Sequence, residues 1–402
     1  MADKITGIID LSYAITVLII LLTFVLIGFR FRAMWLENRM QHVLRKHQDY
    51  FDYVKSHMFE STPLLKPVGS IHRAELLVIQ GKLLNWMEKI VGAECDRLTE
   101  LCRDLGLVDL NMRRLQSEIH WTRLDAIFNL GIMQAKEATP ALLQLLEEER
   151  YGTSAFVIAR SIAKCAQDLN ELDRMTRILA KHGKQSHRLV TSILVLSRLD
   201  WTPLLVVYLN ETDDELVKIA LTCLQTRSIP GTEEVLSSLL DAEDSELRLL
   251  AVQALVHQGT RMTPEQMNEL MSHEDADVRA EAADAFGQVG MVASVESLKE
   301  GLEDSDRRVR YNSARSLIDL DSAGFEALCE VAFHGGNSRE AAFASNVIQE
   351  ELSRGPIYSE DLEQAIRYNM RLDIYRQYSS GREAAKQQEN FGRLKVLKGD
   401  TA

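Results

Sequence analysis

The sequence predicts an all-α chain: one N-terminal transmembrane helix and stalk, then an α-solenoid of stacked helix pairs. Three observations predict it. Leu11 to Phe29 is a nineteen-residue run without a charge, bounded by Asp10 and Arg30, close to the length of about 20 apolar residues that crosses a bilayer as a helix. From about residue 117 onward, apolar and small residues recur with a period of 31. Only 21 Gly and 7 Pro interrupt 402 residues of which 46% are hydrophobic, which excludes disordered, collagen-like and low-complexity classes.

Residues 1–32 hold the span, about 11–29. A cleaved signal peptide is the competing reading, but it needs a basic start, a shorter apolar run and a small-residue cleavage site. Here the start is MADK and Arg30-Phe31-Arg32 follows the run directly. Lys4 precedes the span, whereas Arg30, Arg32, Arg39, Arg45 and Lys46 follow it. Cations stay on the cytoplasmic side, so the N-terminus is expected outside and the remainder in the cytoplasm. The five cysteines (Cys95, Cys102, Cys165, Cys223, Cys329) form no CxxC pair and no zinc spacing, as packed thiols in a reducing compartment would.

Residues 33–62 read as an amphipathic stalk, with Leu36, Met40, Val43, His47, Tyr50, Val54 and Met58 recurring at steps of three and four. That stripe must be covered, either by the chain's own next helices or by a partner's helix. Residues 70–116 follow as a helical adaptor region, with runs near 71–91, 93–104 and 107–116.

Residues 117–350 are the repeats. Leu216, Leu247, Val278 and Val309 are in register, followed four residues later by Ala220, Ala251, Ala282 and Ser313. Cys223, Ala254, Ala285 and Ser316 continue the match, then Leu224, Leu255, Phe286 and Leu317. Apolar at i, small at i+4 and i+7 and apolar at i+8 describes a helix that its neighbours approach closely. A second helix per repeat aligns Leu236, Met267 and Leu298, then Leu240, Met271 and Leu302. Asp213, Asp244, Asp275 and Asp306 keep the same spacing, three residues before the first apolar column, where each can N-cap its helix. Arg248, Arg279 and Arg310 lie four residues after three of these caps and are expected to form a ladder between successive loops.

These residues resemble HEAT repeats, specifically the short PBS-lyase-like kind. The closest copies are SELRLLAVQALVHQG (245–259), ADVRAEAADAFGQVG (276–290) and RRVRYNSARSLIDLD (307–321), with WTRLDAIFNLG (121–131) and TPALLQLLEEE (139–149) as an earlier pair. Between them, at 154–182 and 186–209, the register is degenerate: Leu189 precedes Leu216 by 27 residues. The whole layout is also similar to bacterial membrane-anchored HEAT proteins encoded beside family 2 glycosyltransferases. That resemblance implies a scaffold at the bacterial inner membrane, with a membrane glycosyltransferase of cell-surface polysaccharide synthesis as protein partner. It carries over no catalytic residue. PBS-lyase-like enzymes and HEAT-like DNA glycosylases share such repeats, and a membrane-tethered signalling adaptor is the further alternative.

The residues themselves predict no catalytic group, no metal and no cofactor. There is no HExxH, GxSxG, Walker loop or Rossmann glycine pattern, and His182 and His187 stand five apart in a loop without further ligands. A formal charge of −13 argues against nucleic acid as partner. Acidity concentrates between Glu211 and Asp306, with 22 carboxylates against six cations, a net of −16. Within that stretch Glu234, Glu265 and Glu296 keep the 31-residue spacing, and Glu269 and Glu300 lie one turn further on. They are expected to form a ladder across second helices, either a dock for a basic segment of a protein partner or a solvated face. Residues 351–402 read as a terminal helix and a flexible polar tail, frayed after Met370.

Overall fold

The computed structural model describes residues 2–60, 62–69, 71–149, 152–181, 187–258, 262–336, 338–355 and 362–399, with side chains for residue 15 and within 18–380. Twenty-one α-helices and no strand occur among them, so the chain is an all-α solenoid behind one long N-terminal helix. It divides into two compact units, Met1–Met175 with Ile193–Leu199 and Thr176–Ser192 with Asp200–Ala402. The division falls inside residues 117–350, read from sequence as one solenoid. It coincides with the stretch where the 31-residue register is lost.

The first unit opens with α1 (Ala2–Lys46), a continuous helix about 68 Å long at 1.5 Å per residue. Its large apolar side chains from Leu18 to Leu36 are exposed, and it is the one helix among the described residues long and apolar enough to cross a bilayer. A turn at His47 leads into α2 (Gln48–His57). The stalk stripe divides there: Leu36 and Met40 are open, whereas Val43, Val54 and Met58 are buried. On α3 (Arg73–Met87), Glu75 takes Lys46 at 2.8 Å and His47 at 3.1 Å, and Trp86 meets Phe51 edge-on at 6.0 Å. Then come α4 (Ala93–Asp104), α5 (Leu107–Arg114), the helix pair α6 (His120–Ile132) with α7 (Thr139–Glu148), and α8 (Thr153–Cys165); α9 (Leu169–Ala180) belongs to the first unit as far as Met175. A buried amide chain joins α3, α5 and α6: Asn111 donates to Gln80 at 2.9 Å, and Asn129 donates to Asn111 at 3.3 Å. Buried amides need such partners, and this one fixes how the adaptor helices meet the first repeat.

Two eight-residue helices, α10 (His187–Leu194) and α11 (Thr202–Leu209), mark the degenerate stretch. The regular pairs in the second unit are α12 (Asp214–Leu224) with α13 (Glu233–Ser238), α14 (Ser245–Gln258) with α15 (Pro264–Met271), α16 (Ala276–Val289) with α17 (Val295–Gly301), and α18 (Arg307–Asp319) with α19 (Asp321–His334). Every residue of the aligned columns is buried, from Leu216 through Leu317 on the first helices and from Leu236 through Leu302 on the second. The apolar rows are therefore consumed in packing, and only the other helix faces remain for binding.

The last helices are α20 (Arg339–Ser353) and α21 (Leu362–Gly399), and α21 packs against α19 and α20. Tyr375 and Tyr378 lie 5.6 Å and 6.2 Å from the Phe333 ring of α19. The Tyr368 hydroxyl donates to Leu352 O, while Arg371 pairs with Glu351 and donates to Ile318 O at 3.0 Å. Tyr368, Arg371, Tyr375 and Tyr378 fall at helical spacing on one face, which lets a polar sequence dock through four side chains.

All five cysteines are buried without disulfides. Burial pushes the thiols of Cys102, Cys165 and Cys329 up to about 12 and that of Cys223 to about 11, so they are packing groups, not nucleophiles.

Candidate functional site

Two features repeat along the second unit: a charged network in the loops between repeats, and a row of glutamates on the second helices. In the loops, each first helix starts at an aspartate. Asp213 accepts from the Glu215 N–H at 3.1 Å, Asp244 from Glu246 at 2.8 Å, Asp275 from Asp277 at 2.8 Å and Asp306 from Arg308 at 2.7 Å. These bonds satisfy N–H groups that the helix itself leaves unpaired.

The arginines then bind backbone. Arg248 donates to Ala242 O and Glu243 O, Arg279 to His273 O and Glu274 O, and Arg310 to Asp304 O and Ser305 O. The other edge of the guanidinium reaches the next repeat: Arg248 to Asp275 at 2.8 Å and Arg279 to Asp304 at 2.8 Å. Arg279 thus takes Asp304 instead of the cap Asp306, and Arg310 has no ion pair among the described residues. The Asp277 N–H, helped by Arg248, holds the Asp275 carboxyl below the usual carboxylate range. Burial works to raise Asp304, but Arg279 and the Asp306 N–H outweigh it and hold that carboxyl low as well.

Sequence reasoning missed Lys218, only 3% exposed, which substitutes for the arginine in the repeat where Val217 occupies the aligned position. Its ammonium lies 2.6 Å from Asp244, 3.3 Å from Glu246 and 3.4 Å from Glu215, and Glu215 also takes buried His187 at 2.8 Å. Burial alone would push the ammonium down; the bonds to Asp244 and Glu246 hold it above its ordinary value. A single lysine inside the apolar run LVKIALTCL was the available signal. A second missed relay links first helices, with Gln225 donating to Gln253 at 2.6 Å and Gln253 donating to Glu281 at 2.5 Å.

On the second helices, Glu234, Glu265, Glu269, Glu296 and Glu300 are all exposed. Glu265 lies in the first turn of α15, where Thr263 and Gln266 form a reciprocal capping box and the helix's own N–H holds the Glu265 carboxyl low. Glu296 lies 3.2 Å from Lys299, which also reaches Glu330 at 3.0 Å. Glu234, Glu269 and Glu300 have no ion pair among the described residues. Beside Glu269 is a groove of 190 Å³, lined by Leu240, Leu255, Met262 and Leu270, with Asp241 and His273 at its edge. Such a face can hold cationic groups next to an apolar anchor. No three His, Cys, Asp or Glu side chains stand where a metal could be held among the described residues, and His182 lies outside them.

Comparison with known proteins agrees with this geometry. Residues 263–342 match the family of HEAT repeats, and residues 122–148 match the PBS lyase HEAT-like repeat. No curated protein matches the chain. Among solved structures, YibA from Escherichia coli is 14% identical, with 77% of this chain and 99% of that chain covered and a TM-score of 0.30. An engineered protein is 20% identical, with 67% and 97% covered and a TM-score of 0.18. At those scores neither likeness bears on function. The two family matches cover the helix pair α6 with α7 and the stretch from α15 into α20.

Proposed function

We propose that this chain is a membrane-anchored, non-catalytic repeat scaffold that binds a protein partner at the cytoplasmic face of a bacterial inner membrane. The observation that carries the reading is the set Glu234, Glu269 and Glu300: exposed, without ion pairs among the described residues, on three successive second helices whose apolar rows are already buried. Fixed negative charge on a rigid stack orients and accelerates docking of a basic segment. The exposed apolar length of α1 supports the anchor, and Arg30, Arg32, Arg39, Arg45 and Lys46 after it support a cytoplasmic repeat domain. A membrane glycosyltransferase of surface-polysaccharide synthesis is the partner to look for first; the layout of anchor, stalk and repeats supports it.

Alkaline extraction of membranes, with reporters fused after residue 402, tests anchor and orientation. The chain should stay in the pellet with a cytosolic reporter active and a periplasmic one silent; release into the supernatant overturns the anchor. Photo-crosslinking in cells from positions 234 and 269 then identifies what touches the acidic face. Crosslinks confined to proteins other than glycosyltransferases overturn that partner, and none at all overturns the scaffold.

A further inference from the structure

A second feature belongs to the first unit and takes no part in the acidic face. Helix α4 runs beside the turns that follow α6, α8 and α10, and a polar cavity of 330 Å³ opens between them. Small-molecule sites start at about this size. In a chain of net charge −13 the cavity is cationic: Arg103, Lys136, Lys164 and Arg198 line it against Asp96 and Glu100. The two arginines are already neutralised, Arg103 by Glu100 and by Glu137 at 2.8 Å and Arg198 by Asp96. The two lysines are not: neither the Lys136 nor the Lys164 ammonium has a hydrogen bond or an ion pair among the described residues. Lys136 follows α6 and Lys164 lies in the last turn of α8, and together they supply the lining's excess of two positive charges.

The rest of the lining is uncharged and hydrogen-bonding. Thr99, Gln134 and Gln167 contribute polar groups, and the Gln167 amide N–H₂ donates to Cys165 O and Ala166 O, which leaves its carbonyl oxygen to accept from a ligand. No aromatic ring lines the cavity, so there is nothing for a nucleobase to stack on, and its apolar lining is limited to side chains such as Ala166 and Leu199.

We propose that this cavity binds a phosphorylated, polyhydroxylated small molecule of the sugar-phosphate class. Lys136 and Lys164 take the phosphate dianion as paired point charges, and Gln134 and Gln167 address the hydroxyls. The site is contained within the first unit and does not depend on the scaffold reading.

The test is calorimetric titration of the full chain, purified in mild detergent at low salt, with glucose 6-phosphate, inorganic phosphate and glucose in separate arms. Glucose 6-phosphate should bind saturably with one site per chain and more tightly than inorganic phosphate, and glucose should not bind. The double variant Lys136→Gln, Lys164→Gln should weaken glucose 6-phosphate at least tenfold with an unchanged melting temperature, because neither lysine holds a structural partner. Absence of saturable binding, or unchanged affinity in the double variant, overturns the site. Equal affinity for inorganic phosphate overturns the hydroxylated ligand. A lower melting temperature in the double variant overturns the assignment of both lysines to a ligand.

Discussion

Gly287 on α16 lies so close to Ser316 on α18 that a Cβ at Gly287 would overlap the serine's Oγ and Cβ and come within 2.8 Å of its Cα. The serine hydroxyl points at α16 and donates to Ala283 O, one turn before Gly287, at 2.7 Å. The same relationship recurs in the first unit, where a Cβ on Gly131 of α6 would be 2.6 Å from the Oγ of Ser161 on α8. Glycine facing serine is thus the closest-approach device of two separate repeat pairs.

Gly287→Ala should therefore destabilise the second unit by about 1–3 kcal/mol, the usual cost of overpacking, although alanine is the better helix former by about 1 kcal/mol. Thermal melting of the full chain in detergent checks it. An unchanged or higher melting temperature would mean that α16 and α18 can separate without loss.

Ser313 occupies the small-residue column that holds Ala220, Ala251 and Ala282 in the other repeats, and its buried hydroxyl has no hydrogen-bond partner among the described residues. Ser313→Ala should stabilise by about 1 kcal/mol, since an unsatisfied buried hydroxyl costs that much or more. A fall in melting temperature would refute this.

Glu281 ends the glutamine relay, and burial pushes its carboxyl above the usual range despite the bond from Gln253. A carboxyl raised in the fold contributes stability that is complete below its unfolded value, about 4.3, and is lost as pH rises through the folded value. Glu281→Gln keeps an acceptor for Gln253 and removes the charge. Its melting temperature should match the parent near pH 4 and exceed it as pH rises, levelling off once pH has passed the folded value. A difference independent of pH would place the ionised carboxylate in water.

Reversal of the acidic face separates docking from folding. The triple variant Glu234→Lys, Glu265→Lys, Glu296→Lys should melt close to the parent, because exposed charges contribute little to stability, and should lose the crosslinks from position 269. Crosslinking should also weaken with salt, as screening acts over about 8–10 Å at 0.1–0.15 M. Retained crosslinks at unchanged yield would exclude the glutamates as the dock.

Helix class and repeat register were legible in the sequence because burial of one helix face imposes a period that composition cannot hide. The columns from Leu216 to Leu317 and the rows Leu236–Leu298 and Leu240–Leu302 are all buried where the spacing put them. The five glutamates were legible as exposed for the complementary reason, since they lie off those rows. Tertiary structure alone decided which loop meets which. Arg279 reaches Asp304 and not the cap at Asp306, and Lys218 gathers three carboxylates from one residue beyond the aligned arginine position. It also turned a polar tail into a docked helix through Tyr375, Tyr378 and Arg371, and set Lys136 and Lys164 around one cavity under α4. A repeat period records what each helix buries along its own axis. The pairing of polar side chains depends on the offset between neighbouring repeats, which side-chain packing sets in three dimensions.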